Sequence, residues 1–379
     1  MKKFLCVFLG LALMASSVFA EDVVKLGAIG PLTGESSIAG IDERDSKLMA
    51  IDEINAVGGL LGKKVVMYSE DDASQPSQAA AVAMKMISQN NVVAIIGAHN
   101  SSCTLAIMQI IDRAGIPIIP PSSTSPKVCN SGNKWVVRPT PPDTVQTAAL
   151  VQYAKELGYK KIGMIYVNDD FGKGGYGAVL DAMKAQGMEL AGAESFQGDD
   201  KDMHAQLTKL EALGVDALLI WCQFVPASLI MRQAREMGWN VQFFGGTGPM
   251  HNRTFELAGG AYDGMIHTVP FIPNNPLPNI QKYVGDFQKR YGRIPSQPGA
   301  RAYDAINLYF DAVKRAGTTD PDKVIVTLRS TKDFPGLQGP IAINKGTGEY
   351  EGGVPLVKAN YENKNWDFIK NFVPQMQSK

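Results

Sequence analysis

The sequence predicts an α/β protein built from two doubly wound units in tandem. Short continuous apolar runs alternate with helical segments along almost the whole chain, as expected where helices cover both faces of a parallel sheet. The alternation starts afresh after Arg138, and acidic pairs mark matching points in the two halves. Asp71-Asp72 precede a helix and the strand at 92–96, and Asp199-Asp200 precede a helix and the strand at 217–221. A chain of 379 residues also exceeds what one core usually serves. No fixed repeat length is present, so the halves read as domains and not as turns of a solenoid.

Taken in order, the chain opens on Met1-Lys2-Lys3, an apolar run at 4–13 and the small-residue pattern Val18-Phe19-Ala20. This is a secretory signal with a cut expected after Ala20, too short and wrongly flanked for a membrane span. Cys6 lies inside the apolar run with no cleavage site beside it, so no lipid anchor is read. The expected location is the periplasm.

The first unit then reads as a strand at 23–29, a Gly-rich loop through Gly40, and a helix at 41–57 stopped by Gly58-Gly59. A strand at 65–68, a helix at 78–88, a strand at 92–96, a helix at 104–113 and a strand at 116–119 follow. The second unit runs as a helix at 145–157, a strand at 162–167, a helix at 178–186, a strand at 188–195 and a helix at 204–213. It finishes with a strand at 217–221, a helix at 227–237 and a strand at 241–244. Pro-rich stretches at 139–142 and 270–278 separate these blocks. Three late helices (280–291, 300–316, 322–329) and two late strands (354–359, 366–372) must dock on one unit or the other.

Composition excludes several functions. Basic and acidic side chains balance at 37 each, and the leader removes only two lysines, so no basic surplus favours nucleic acid. No second apolar stretch is long enough to span a bilayer. Outside the leader the cysteines are Cys103, Cys129 and Cys222; an oxidising compartment allows a Cys103–Cys129 bridge that leaves Cys222 free. Three distant thiols and four histidines make no metal-site spacing, and no cofactor is expected.

In open parallel sheets, ligands bind beyond the carboxyl ends of the strands, where helix N-termini offer free N–H groups. Two such loops are Gly97-Ala98-His99-Asn100-Ser101-Ser102 and Pro120-Pro121-Ser122-Ser123-Thr124-Ser125. Small hydroxyls at a positive helix end suit a carboxylate, although Ser101 or Ser102 can equally serve as a helix cap. The second half contributes Asn168-Asp169-Asp170-Phe171-Gly172, Trp221-Cys222-Gln223-Phe224 and Gly245-Gly246-Thr247-Gly248, in which Phe171 and Phe224 supply apolar walls. One enzyme motif competes. Gly172-Lys173-Gly174-Gly175-Tyr176-Gly177 matches the dinucleotide fingerprint G-x-G-x-x-G. Its glycines start several residues after the strand, Asp169-Asp170 would face the pyrophosphate, and an exported chain leaves the nicotinamide pool. A NAD-dependent enzyme is therefore the lesser reading, and no catalytic or metal-ligating set is assigned.

These loops, in this order, resemble the Leu/Ile/Val-binding family of periplasmic solute-binding proteins of ABC importers. The marks are Ile29-Gly30-Pro31-Leu32-Thr33-Gly34, Ile54-Asn55-Ala56-Val57-Gly58-Gly59, Ile96-Gly97 with Ser101-Ser102, and Ser122-Ser123-Thr124-Ser125-Pro126. Arg138-Pro139-Thr140, Asn168-Asp169-Asp170-Phe171-Gly172, Gln233-Ala234-Arg235 with Gly238, and Tyr303-Asp304-Ala305 complete the set. The resemblance implies two Rossmann-like lobes joined by a three-crossover hinge that closes on the ligand. Lobe 1 would comprise 21–138 and 270–352, and lobe 2 would comprise 139–269 and 353–379. It also implies a monomer delivering a small carboxylate to an inner-membrane ABC permease; a periplasmic sensor of the same fold is the alternative.

Carried over position by position, Ser101 and the backbone of Ser102 would hold the carboxylate. Ser122, through its carbonyl, and Thr124 would meet the amino group. Phe171 and Phe224 would contact the ligand, with His99 and Ala39 lining the side-chain pocket. Thr247 stands where amino-acid binders place a carboxylate against the ammonium, and the usual disulfide positions of the family are Ser74 and Asn100 here. Burying an ammonium without a counter-charge costs several kcal/mol. Either Asp169, Asp170 or Glu43 moves in, or the ligand has no ammonium. Two ligand classes therefore stay open: a branched-chain or hydrophobic amino acid, and an aromatic or short aliphatic acid or an amide.

Overall fold

A computed structural model describes residues 23–34 and 36–373; the leader and the cut after Ala20 lie outside the described residues. The apolar run at the start becomes β1 (Val23–Gly30), followed by α1 (Ser37–Ala56), β2 (Lys64–Asp71), α2 (Pro76–Lys85), β3 (Ala94–Ile96), α3 (Ser101–Ala114) and α4 (Lys127–Asn130). The three strands form a parallel sheet in the order β2-β1-β3, with Leu26 beside both Met67 and Ala94. The strand expected at 116–119 exists only as single bridges from Ile118 to Ile95 and to Val136.

The second unit comprises α5 (Asp143–Glu156), β4 (Ile162–Val167), α6 (Asp170–Ala185), β5 (Gly192–Phe196), α7 (His204–Ala212), β6 (Ala217–Trp221), α8 (Phe224–Glu236), β7 (Gln242–Gly245), α9 (Thr254–Leu257) and β8 (Ile266–Thr268). The chain then returns to the first unit through α10 (Pro278–Tyr291), α11 (Gln297–Ala316) and α12 (Pro321–Arg329). A small antiparallel sheet follows, made of β9 (Phe334–Gly336), β10 (Gly339–Ile343) and β11 (Tyr350–Glu351). The last strands, β12 (Val354–Asn360) and β13 (Asn365–Phe372), rejoin the second unit as antiparallel edge strands. Its sheet order is β13-β12-β8-β7-β6-β4-β5.

Each unit has its own apolar core. One gathers Leu26, Ile95, Ile107 and Val137 with Ala305, Tyr309 and Ile341. The other gathers Leu150, Ile165, Ile220 and Phe244 with Val269, Val354 and Trp366. The chain passes from one core to the other between Val137 and Ala149, between Val269 and Phe271, and between Tyr350 and Val354. Those are the three crossings of a two-lobed, hinged α/β protein.

The glycine motif has a packing role. Gly172, Gly174, Gly175 and Gly177 all lie inside α6. A Cβ on Gly172 would stand 1.8 Å from the Val167 carbonyl oxygen, and one on Gly175 would stand 2.1 Å from the Trp221 indole nitrogen. These absences let α6 press against the ends of β4 and β6.

The expected Cys103–Cys129 bridge is not formed. Both residues are free and buried, and Cys222 is buried as well. Cys103 faces the core from α3, while the Cys129 sulfur is 3.8 Å from the carbonyl oxygen of Gly348. Burial pushes the Cys129 thiol up to about 12, where little reactive thiolate forms.

Two charged residues organise the first crossing. Arg138 is fully buried; its Nη1 donates to the carbonyls of Ser123 (2.9 Å) and Ser125 (2.7 Å), and its Nε donates to Glu349 at 2.8 Å. A second ion-pair contact joins Nη2 to the same carboxylate. Asp143 opens α5 and is entirely buried, with Thr124, Arg138 and Trp221 around its carboxyl. Burial pushes it up to about 7, against the opposing influence of Thr124, Arg138 and Trp221.

Arg138→Met should lower unfolding stability by about 3–5 kcal/mol, because it strands Glu349 and two buried carbonyls. An unchanged urea midpoint would show that this tie is not structural. For Asp143, the folded state keeps, up to about pH 7, a proton that the unfolded chain releases near the ordinary carboxylate value of 3.8. Stability therefore falls as pH rises through that window. Asp143→Asn should flatten the midpoint-versus-pH profile between those limits, and a profile as steep as wild type would refute this assignment.

Candidate functional site

The loop after β3 turns abruptly because it passes against β1. Gly97 has φ +154°, and a Cβ there would stand 2.2 Å from the Ile29 carbonyl oxygen, so glycine is required. This turn delivers His99 and the start of α3 to the face between the lobes. Asn100 occupies the cap position without a side-chain cap bond, so neither neighbouring serine is used as a cap. Ser101 Oγ instead accepts from the backbone N–H of Ser125 at 3.3 Å, tying the two serine-rich loops together. Ser102 Oγ accepts from the backbone N–H of Asp170 at 3.2 Å, which links lobe 1 to lobe 2.

A narrow cavity between the lobes is lined by His99, Ser101, Ser122, Thr124 and Arg301 from one side and Phe171, Gln223, Thr247 and Gly248 from the other. Of the residues expected from sequence, His99, Ser101, Ser122, Thr124, Phe171 and Thr247 thus meet in one place. Ala39 is buried in α1 and absent from this wall, and Ser102 is engaged as the interlobe link. Phe224 is also off the wall. Its ring stacks on His251 at 4.3 Å, which turns it toward the 249–254 loop.

Beneath the lobe-1 wall lies a compact charged group. Glu43 on α1 is wholly buried; its Oε1 is 2.7 Å from His99 Nδ1 and accepts from Ser122 Oγ at 2.5 Å. Its Oε2 is 3.8 Å from the buried Lys47 ammonium. Burial works to raise the Glu43 carboxyl, yet the His99 and Lys47 charges and these hydrogen bonds hold it below the usual range. Burial pulls Lys47 down, and Glu43 and Asp72 oppose that pull. Ser123 is committed to structure through Thr104 (2.5 Å) and the carbonyls of Ala98 and His99.

Most of the remaining polar atoms at the wall have no such commitments. His99 Nε2 and the Nε and Nη1 of Arg301 are buried without a hydrogen-bond partner, and Thr124 Oγ1 has the buried Asp143 carboxyl beside it. Burial pulls Arg301 down to about 10, opposed by the Glu43 charge, so the guanidinium remains cationic at neutral pH. No carboxylate lines the cavity among the described residues. Asp169 caps α6 by accepting from Gly172 N–H at 2.8 Å, and Asp170 pairs with Lys127 at 2.9 Å.

Arg301 is the functional residue that the sequence reading missed. It lies on α11, which the late helical block did predict, and its spacing to Ala305, Leu308 and Ala312 places it on that helix's buried face. A lone arginine on an apolar stripe was the available signal.

From the second lobe, the backbone of Thr247 is held at both ends. Its N–H donates to Gln146 at 2.8 Å and its carbonyl accepts from Gln297 of α11 at 2.9 Å. Asn252 also reaches across to the carbonyls of Ile294 and Pro295. The lobes are therefore closed over the cavity, with hydroxyls and cationic or amide donors turned inward. That arrangement suits capture of an anion.

Comparison with known proteins follows the same lines. The model of the periplasmic binding protein family matches residues 23–365. A leucine-, isoleucine-, valine-, threonine- and alanine-binding protein of Pseudomonas aeruginosa is 30% identical over 324 residues, 85% of this chain and 86% of the relative. The crystal structure of a leucine binding protein from Thermotoga maritima is 29% identical, with a TM-score of 0.85 over 93% of this chain and 99% of the other. A branched-chain amino acid transporter substrate binding protein from Streptococcus pneumoniae, solved with isoleucine, is 26% identical, with a TM-score of 0.83 over 92% and 99%. The chain belongs to the Leu/Ile/Val-binding family of periplasmic solute-binding proteins.

Proposed function

We propose that this protein captures a small organic carboxylate lacking a free ammonium in the periplasm and delivers it to an inner-membrane ABC permease. It acts as a monomer and by binding alone. One observation carries the choice of ligand class: no acidic side chain lines the closed cavity among the described residues; Asp169 and Asp170 are engaged elsewhere, and Glu43, behind His99 and Ser122, is already matched by His99 and Lys47. An ammonium there would meet no carboxylate directly, because Glu43 lies behind His99 and Ser122 and Asp143 behind Thr124, and losing a direct ion pair costs several kcal/mol. The carboxylate docks on lobe 1 at Ser101, Thr124 and the N-terminus of α3, where neutral donors and the helix dipole favour an anion. Lobe 2 then brings Phe171, Thr247 and Gly248 over it. The permease distinguishes loaded from empty protein because the ligand raises the closed population.

A second reading, a branched-chain amino acid, is favoured by what the Pseudomonas and Thermotoga relatives are named for binding. A thermal-shift screen of amino acids against their deaminated acids separates the two, since a tight ligand raises the melting temperature by mass action. Stabilisation by acids, and not by leucine or valine, is expected; the reverse pattern would refute the proposed ligand class. Ser101→Ala should weaken binding by about 1–3 kcal/mol, because it removes a donor from a desolvated anion. Calorimetry showing wild-type affinity in that variant would place the carboxylate elsewhere.

A further inference from the structure

Two groups of polar side chains line the same cavity. One is Ser101 and Thr124, built from the start of α3 and the loop at 120–125 and tied together by the Ser101–Ser125 bond. The other is Arg301 and His99, which flank the buried Glu43 and come from α11 and the loop after β3. Arg301 is 3% exposed, and its Nε and Nη1 have no partner. Glu43 does not supply one, because Oε1 serves His99 and Ser122 and Oε2 faces Lys47.

We infer that the ligand carries a second anionic group, held by Arg301 and His99, and so belongs to the small dicarboxylates. The inference rests on the reading that a first carboxylate docks at Ser101 and Thr124. A ligand with a single carboxylate satisfies one donor set and leaves the other dry. For the guanidinium that leaves buried N–H groups without an acceptor, with the Glu43 charge only as an electrostatic neighbour. The Nε edge of the guanidinium presents parallel N–H groups from Nε and Nη2 that match a carboxylate in plane, which a hydroxyl or carbonyl at that end does not reproduce. The positive charge on Arg301 and the N-terminal dipole of α3 together balance most of a dianion. His99, already bonded to Glu43 through Nδ1, adds a charged donor at Nε2 whenever it is protonated.

The test is calorimetry on the unliganded mature chain with straight-chain four- to six-carbon dicarboxylates, monocarboxylates of equal length, and leucine. A dicarboxylate of one length should bind about 10–100-fold more tightly than its monocarboxylate. Arg301→Met should erase that gap, and Arg301→Lys should recover part of it. Monocarboxylates binding as tightly as the diacids, or no diacid binding at all, would overturn the second anion. Because the wild-type comparison does not depend on any variant, misfolding of Arg301→Met cannot hide the answer. Leucine binding while every acid fails would instead refute the ammonium-free reading itself.

Discussion

Arg138 is the residue on which the geometry of this protein depends. It is buried at the point where the chain first leaves lobe 1, and its guanidinium joins three parts of the molecule. Two of its bonds go to the carbonyls of Ser123 and Ser125, which flank Thr124. Others go to Glu349, just before the third crossing, and its own N–H donates to Gly348 at 2.8 Å. The hinge and the ligand-facing loop are therefore one rigid piece. Burial alone would weaken the charge, but Glu349 holds Arg138 above its ordinary value. Lobe motion must then occur around this piece, which leaves Ser101 and Thr124 in register whether the lobes are open or closed.

Much of this was legible in the sequence because local chemistry and topology agree. Short apolar runs followed by small hydroxyl residues mark strand ends facing helix N-termini, and those are the loops that meet at the cavity. Thr247 was legible as a missing counter-charge only because family resemblance says what normally stands there. Other features depend on contacts that no local pattern encodes. β8 is three residues long and gains its place only by lying between β7 and β12. Phe224 is turned away by stacking on His251, a residue of a loop far along the chain. Cys103 and Cys129 share a core yet point to different neighbours, which composition does not reveal.

The two buried cationic side chains of lobe 1 differ in a telling way. Lys47 is matched: Glu43 lies 3.8 Å from its ammonium, and the Ile96 carbonyl lies 3.4 Å away. Arg301 approaches the same carboxylate only as an electrostatic neighbour, while its donors turn to the cavity. Burying both charges for stability alone would be a poor solution, since well-packed apolar residues serve a core as well or better. The Glu43–His99–Lys47 group makes sense as a support. It fixes the His99 ring through Nδ1, leaves Nε2 facing the cavity, and keeps Glu43 ionised without offering it to the ligand.

That imbalance also explains why closure should wait for ligand. The bonds that hold the lobes together are individually modest, and the buried ion pair of His251 Nε2 with Asp42 among them is long at 3.6 Å. Lys127–Asp170 is solvent-exposed and contributes little. Ser102 to Asp170, Gln297 to Thr247 and Asn252 to Ile294 are single hydrogen bonds, each worth about 1 kcal/mol net. Against them, closing on an empty cavity strips water from Arg301 and His99 and gives nothing back, a penalty comparable to the whole set of interlobe bonds. An anion between the lobes reverses that sign, because it supplies the missing acceptors only when both walls are in place. Empty protein is thus biased open and loaded protein closed, through the same few groups that choose the ligand.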